Sequence, residues 1–466
     1  MTDYNPFGKK VSELEKEDLD KLIGNVAEGW FIEYKGDFPS STNKISHSLA
    51  SFANSDGGWY IIGIDDEDGS NIATEIVGFD INVHSMPKEQ IRNIIANNIT
   101  PKPFFESKLI MINNEKAVLV VHIESGDETP YVTNDGKIYQ RVGEGSDPIK
   151  LNDHYSIQKL YDRSKESRLW IENFSQNRFG ISKGQSNQNQ CFLEIYFYTM
   201  PVNKFEFNDF SSENFFKEVI KNFSEKVHIL SQYFVGSIEL NNYYSSSSSY
   251  ILRHITPENS IDLGTTMELF INGNLKVILP VPTISIENLD YSDPDYLEIL
   301  GDFYELLSEN EYQYLEIIDA NKFFVEFMVF YKQYIQFLKN KNFNGTLGVR
   351  FKITNSWRTL LFFNDENYLN LIREYGCPIC LKSGIEIPNF NNGNLIATTL
   401  NEEEFSVPLE GEGLEPAVIG IDSIVLLQTI YEALGIPRHF STYLLPGIVK
   451  YIFKFGLKDS NSDNVK

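Results

Sequence analysis

The sequence predicts an α/β chain of the α+β kind, with a mixed sheet and packed helices in its N-terminal third and a second α+β domain after it. Three observations predict this. The apolar runs WYIIGI and AVLVVHI read as buried strands. The stretch TNKISHSLASFANS, with Ile45, Leu49, Phe52 and Ala53 at helical spacing, lies between an earlier strand, GWFIEYKG, and the first of those runs. Apolar residues make up 42% and aromatic residues 14% of the 466, which places the chain among folded rather than disordered proteins.

Taken in order, residues 11–23 (VSELEKEDLDKLI) carry Val11, Leu14, Leu19 and Ile23 on one face. They predict a short amphipathic helix with Ser12 and Glu15 as its capping box. GWFIEYKG follows as a strand. Five residues apart on one flat strand, Glu28 and Glu33 would face opposite ways. To serve one site, Glu28 must lie before the strand or past a bulge at Gly29. Glu33 and Lys35, two apart, share a face. After the helix, Asn54 sits where a short polar side chain tolerates a left-handed backbone, and Gly57-Gly58 turns the chain. WYIIGI, apolar on both faces, predicts a central strand, and Asp65 to Gly69 form a carboxylate-rich hairpin loop. A return strand falls near 76–79, and Ser85 and Pro87 open a helix, KEQIRNIIANNI. KLIMI and AVLVVHI are strands joined at Asn113-Asn114-Glu115. TPYVT and KIYQRV predict a hairpin around Asn134-Asp135-Gly136, and 153–175 a helix leaving the domain.

Beyond a polar linker at 181–190, CFLEIYFYTMPV predicts a strand and the serine run 245–249 a flexible loop. TMELFINGNLKVILPVP predicts a hairpin turning at Asn272-Gly273-Asn274, and 295–309 a helix. Asp319 caps ANKFFVEFMVFYKQYIQFLKNK, which is apolar on most of its circumference and so buried or at a subunit interface. TLGVRFKIT and RTLLFF predict one more hairpin, and the polar end of the chain a disordered tail. The expected organisation is 1–165, an α/β domain; 166–190, helix and linker; 191–457, an α+β domain for assembly or sensing; and 458–466, the tail.

Charge narrows the function. The formal net charge is −25; residues 1–165 hold 17 Lys+Arg against 27 Asp+Glu, and the remainder 23 against 38. Neither part is basic, which weighs against loose nucleic-acid binding, whose free energy comes mostly from neutralising phosphates. It leaves room for a local basic groove or a phosphate bridged by a metal. Three cysteines, Cys191, Cys377 and Cys380, fit a reducing compartment. MTDYNPFGKK lacks the apolar core of a signal peptide, and no apolar run reaches the ~18–20 residues of a membrane span. The expectation is a soluble, cytoplasmic protein with no membrane partner.

The chemical signal is the trio Glu28, Glu33 and Asp66. Strand–helix–strand brings the strand ends together, and carboxylates that converge there repel unless a cation neutralises them. Hard divalent cations prefer such oxygen ligands, and two of them can run phosphodiester hydrolysis. The plainer alternative is a set of solvated strand-end and turn carboxylates. Lys35 could hold a phosphate oxygen or transition-state charge, or simply pair with Glu33. Arg141, near the end of the closing hairpin, could contact phosphate or pair with a carboxylate. Asp65 points away from Asp66 along a strand.

The order E-x4-E-x-K, S-F-A-N-S-x-G-G, I-I-G-I-D-D, continued by T-P-Y-V-T-N-D-G-K-I-Y-Q-R-V-G to Gly143, resembles the AlbA-like domain of the Schlafen family over residues 10–165. The resemblance implies a metal-dependent endoribonuclease acting on tRNA or similar structured RNA, with catalytic and metal-binding acids at Glu28, Glu33 and Asp66 and Mn²⁺ or Mg²⁺ as the ion. Bacterial proteins with this domain are also described as DNA-binding, so DNA, or a sensor role without catalysis, stands as the alternative. A bacterial role in restricting phage fits by analogy. One AlbA-like copy is half of the two-lobed Schlafen clamp, which implies a homodimer.

The remaining motifs carry less. Cys377-Pro-Ile-Cys380 is a lone C-x-x-C without paired ligands, and no structural zinc is expected. There is no HExxH, P-loop or clear GxGxxG, and the acidic stretch E-G-E-G-L-E-P at 410–416 would repel phosphates.

Overall fold

The computed structural model describes residues 4–66, 71–142, 147–176, 190–202, 204–230, 234–236, 240–255, 264–284, 294–310, 312, 314–343, 345–387, 395–398, 404–407 and 417–438. The expected linker at 181–189, the tip of the acidic hairpin at 67–70, the stretch 410–416 and the tail at 458–466 lie outside them. The chain divides into two compact units, Met1–Asn173 and Phe174–Lys466.

The first unit departs from expectation at once. In place of one helix over 11–23 there is a single 3-10 turn, Val11–Glu13, and a four-residue helix, α1 (Lys16–Leu19). Asp18 decides this. It is 2% exposed, accepts the Glu15 amide at 3.0 Å, and pairs with Lys9 at 2.9 Å and Lys21 at 2.8 Å. The cap is therefore Glu15 with Asp18, not Ser12 with Glu15. Val11, Leu14, Leu19 and Leu22 are nevertheless buried, because the segment lies against one face of the sheet.

That sheet is built on β1 (Ile32–Lys35), α2 (Thr42–Asn54) and β2 (Gly58–Ile62), a parallel pair with a helical crossover. Strands β3 (Asp65–Asp66) and β4 (Ala73–Glu75) form a small hairpin, and β5 (Phe79–Asp80) returns to the sheet. The return strand is thus two short pieces, not 76–79. Helix α3 (Pro87–Asn98) opens with proline at its first turn, as read, although Met86 rather than Ser85 precedes it. After β6 (Ile99–Thr100), strands β7 (Phe105–Met111) and β8 (Lys116–Ile123) pair antiparallel, and β8 also pairs with β2, so β2 is central.

Alternation sorts the side chains. Ile32, Tyr34, Trp59 and Ile61 face the N-terminal segment. Tyr60 and Ile62 face α2 and α3, packing with Ile45, Leu49, Phe52, Ile91 and Ile95. Glu33 and Lys35 fall on this second, helix-covered face.

The segment expected as a hairpin around residues 134–136 turns there, Thr133 N donating to Lys137 O at 2.9 Å with an antiparallel bridge between Val132 and Ile138, but its longer pairings are made elsewhere. Strand β9 (Val132–Thr133) joins β6, and β10 (Tyr139–Gln140) joins β11 (Ile149–Lys150). Asn54 is the cause. It is fully buried as the last residue of α2; its amide donates to Tyr131 O at 2.8 Å and Tyr139 O at 2.9 Å, and its oxygen accepts from Tyr131 N at 2.7 Å. Asn54 is thus a cross-link, not a left-handed cap. Gly57, at φ +82°, turns the chain, and a Cβ on Gly58 would sit 2.2 Å from the Phe52 ring. Helix α4 (His154–Gln176) follows.

The second unit centres on an eight-stranded sheet in which Phe192–Met200 lies between Leu275–Pro280 and Thr346–Thr354. The hairpin turning at Asn272–Asn274 is present, with Gly273 at φ +76°. Asp319 caps helix Ala320–Asn340, accepting from Asn321 N at 3.0 Å and Lys322 N at 3.1 Å. That helix buries fourteen residues, Phe323, Phe327, Tyr331 and Tyr334 among them, and so serves as core. Two readings are corrected. The serine run is the ordered turn of a hairpin, Ser246 N donating to Ser249 O at 2.8 Å. Thr359–Phe362 pairs parallel with Glu316–Asp319 rather than with Thr346–Thr354. Cys380 is buried and Cys377 half-buried, and both are free thiols.

Candidate functional site

Because β1 and β2 run parallel, their C-terminal ends lie side by side, Lys35 opposite Ile62. The chain leaving β2 bends over that end, with Gly63 N donating to Lys35 O at 2.6 Å, and then presents Asp65 and Asp66, both exposed. Asp65 packs onto Gly36, where a Cβ would meet its Oδ1 at 1.9 Å, so Asp66 is the freer of the two.

Glu28 lies before the strand, one of the two places the spacing left open for it. Its loop closes with Gly29 N donating to Ile32 O at 2.9 Å, and its own amide donates to Asn71 O at 2.6 Å. Asn71 adjoins the bridge between Ala27 and Ile72, one step from Ala73, the partner of Asp66. This ladder carries Glu28 and Asp66 to the same corner.

Glu28 and Glu33 converge on one cation. Lys35 Nζ stands 3.1 Å from Glu33 Oε1 and 3.6 Å from Glu28 Oε1. Their side chains are 6% and 7% exposed, against 34% for Lys35. Glu28 Oε1 also accepts the Tyr34 amide, and Ser48 Oγ on α2 donates to Glu33 Oε1 at 2.9 Å. Burial pushes the Glu28 carboxyl up, aided by the like charges of Asp66 and Glu33, while Lys35 and the Tyr34 amide oppose. For Lys35 burial lowers the ammonium, but Glu33, Glu28 and Asp66 outweigh it and hold its pKa up.

Of the two roles expected of Arg141, the structure shows the pairing with a carboxylate and not the contact with phosphate. It is fully buried and paired with Glu33 Oε2, while its Nε donates to Ser51 Oγ at 3.2 Å and its guanidinium stacks 4.1 Å over the Phe52 ring. With no exposed surface it meets no phosphate; it neutralises Glu33 from beneath.

Sequence reasoning missed Tyr60. It pairs in register with Glu33, is fully buried, and lies within electrostatic reach of Glu28, Glu33 and Arg141, yet its hydroxyl has no hydrogen-bond partner. Its place in WYIIGI made it look like core; only the register with β1 reveals it. Ser48 and Ser51 were likewise hidden on the inward face of α2.

Carboxylates are the donors a hard divalent cation prefers, but here the cation between Glu28 and Glu33 is the Lys35 ammonium, with the unsatisfied Tyr60 hydroxyl nearby. As they stand, no group of three His, Cys, Asp or Glu among the described residues is close enough to hold a metal ion. Lys35 fills the place between the glutamates, and Arg141 closes the far side of Glu33. Among the described residues no helix is long and apolar enough to cross a membrane.

Comparison with known proteins gives a family match within the first unit. The family profile described as Schlafen, AlbA_2 matches residues 28–150. The solution structure of the N-terminal domain of a RecG-related protein from Nitrosomonas europaea is similar at 23% identity, covering 28% of this chain and 89% of that one, with a TM-score of 0.20. The crystal structure of the DIP2311 protein from Corynebacterium diphtheriae is similar at 12% identity, covering 56% of this chain and 79% of that one, with a TM-score of 0.22. No curated protein matches. Residues 28–150 therefore form an AlbA-like domain of the Schlafen AlbA_2 type, and the region after it matches no family.

Proposed function

We propose that the first unit binds nucleic acid and hydrolyses it: a metal-dependent endoribonuclease for structured RNA, with tRNA the leading substrate and phage restriction the setting. The observation that carries this reading is the convergence of Glu28 and Glu33 on Lys35, with Asp66 at the same corner and the Tyr60 hydroxyl unsatisfied beside them. Glu28, Glu33 and Asp66 would hold Mn²⁺ or Mg²⁺, which when bound polarises a phosphodiester and acidifies a water. Lys35, one-third exposed, swings from the carboxylates to a non-bridging phosphate oxygen. Arg141 and Ser48 keep Glu33 oriented. Tyr60 offers a hydroxyl to the same corner.

A second reading, nucleic-acid binding or sensing without hydrolysis, is favoured by one observation: Arg141 and Lys35 already neutralise Glu33, so that glutamate needs no metal. Total tRNA incubated with the full chain, in Mn²⁺ or in EDTA, beside Glu28→Gln/Glu33→Gln, separates them. Nicking that needs Mn²⁺ and disappears in the double variant supports the nuclease. RNA retained on the protein without nicking supports the binding module. Nicking equal in both versions removes the site assignment. A homodimer would complete a two-sided groove; a gel-filtration mass near one 53.5 kDa chain would rule it out.

A further inference from the structure

The cavity beside the acidic cluster has a different chemistry from the cluster itself. It holds about 440 Å³ and is lined by Tyr4, Glu28, Trp30 and Phe31, with Ala27 and Gly29. That volume lies within the ~300–1,000 Å³ of small-ligand pockets. Three aromatic rings thus share a wall with one carboxylate of the site. The rings are fixed in place. Tyr4 and Phe31 stack at 5.1 Å and 20°. Trp59 Nε1 donates to Tyr4 O at 2.9 Å, and Trp30 Nε1 donates to Asp56 Oδ2 at 3.1 Å. Tyr4 is still 39% exposed.

A chain of net charge −25 gains little by attracting phosphates at long range, so a nucleic-acid ligand must be held by something indifferent to charge. Stacking on aromatic rings is such a force, because every base presents a π-face. In an A-form duplex the bases are enclosed, whereas loops, bulges and ends can splay them out. We propose that this pocket takes one unpaired nucleobase adjoining a phosphate held by Lys35 at the corner of Glu28, Glu33 and Asp66. The substrate is then RNA cut beside a splayed nucleotide, not within continuous duplex. This rests on the nuclease or RNA-binding reading above and adds the chemical class of its substrate.

The test changes the ligand before the protein. The full chain in EDTA, where hydrolysis cannot interfere, is titrated with a fluorescently labelled single-stranded hexaribonucleotide and with the same strand made abasic at each position in turn. Anisotropy should show one position at which loss of the base weakens binding ~5- to 150-fold, the range of one base–aromatic stack. Trp30→Ala should weaken the intact strand by a similar factor and leave the strand abasic at that position unchanged. Equal affinity for all abasic strands overturns the pocket; if Mn²⁺-dependent tRNA nicking persists, the nuclease reading survives without it. Failure of the full chain to bind or nick any RNA overturns both.

Discussion

Replacing Arg141 by methionine tests how much its buried ion pair with Glu33 contributes to stability. Arg141 is 0% exposed and the Glu33 side chain 6%. Removing one partner of such a pair costs ~3–5 kcal/mol, because the other charge is left without its counter-ion in a poorly solvated place. Two contacts moderate the loss: Lys35 at 3.1 Å and Ser48 at 2.9 Å still reach Glu33. Two others deepen it: Ser51 Oγ and Gly29 O each lose a donor, and the Phe52 ring loses its cation. At ~2–4 °C per kcal/mol for a unit of this size, the midpoint falls by ~6–20 °C. The assay is thermal or urea unfolding of the full chain carrying Trp357→Phe, so that Trp30, Trp59 and Trp170 report the first unit alone. Glu33→Leu combined with Arg141→Met should recover at least half of the loss, since replacing both partners by apolar groups is often neutral. A single variant that loses less than ~1 kcal/mol, or a double variant no better than the single, refutes the reasoning.

The raised Glu28 carboxyl makes the folded state bind a proton more tightly than the unfolded chain, so its contribution to stability falls as pH rises from the ordinary glutamate range through the folded value. Glu28→Gln should therefore raise the urea midpoint at neutral pH, with the gain vanishing below the ordinary glutamate range; a gain independent of pH would contradict the assignment. Asn54→Ala leaves the Tyr131 amide and two carbonyls unsatisfied in the core and should cost at least ~2 kcal/mol by urea denaturation, more than Asn→Ala at exposed Asn114. Gly58→Ala drives a methyl to 2.2 Å from Phe52 and 2.8 Å from Phe31 O, and should lower stability by ~1–3 kcal/mol while Gly136→Ala, with open space around it, costs only the strain of its left-handed backbone.

Much of the first unit was legible because its signals were local. WYIIGI is apolar without interruption and is the central strand; Pro87 sits in the first turn of a helix; Asn113 to Glu115 joins two strands. Even the location of Glu28 could be narrowed beforehand to two places, before the strand or past a bulge, since period-two geometry forbids it from sharing a flat strand face with Glu33. What could not be read depended on partners far along the chain. Arg141 meets Glu33 across 108 positions, and Asn54 reaches Tyr131 across 77, so neither the salt bridge nor the diverted strands of the closing hairpin leave a mark in any local window. Tyr60 looked like core for the same reason: its register with Glu33, not its neighbours in sequence, gives it a place at the site. The short helix at 16–19 was missed because Asp18 is held by Lys9, Lys21 and the Glu15 amide, a choice that helical periodicity does not encode.

The distance along the chain between Glu33 and Arg141 also governs timing. During synthesis at ~5–20 residues per second, the 108 positions between them take roughly 5–20 s to emerge. Throughout that interval a nascent chain carries its acidic trio without the buried guanidinium that seats Glu33 and without the segment that Asn54 clasps. An incomplete chain on the ribosome thus lacks the assembled corner, which forms only when the last piece of the first unit has been made.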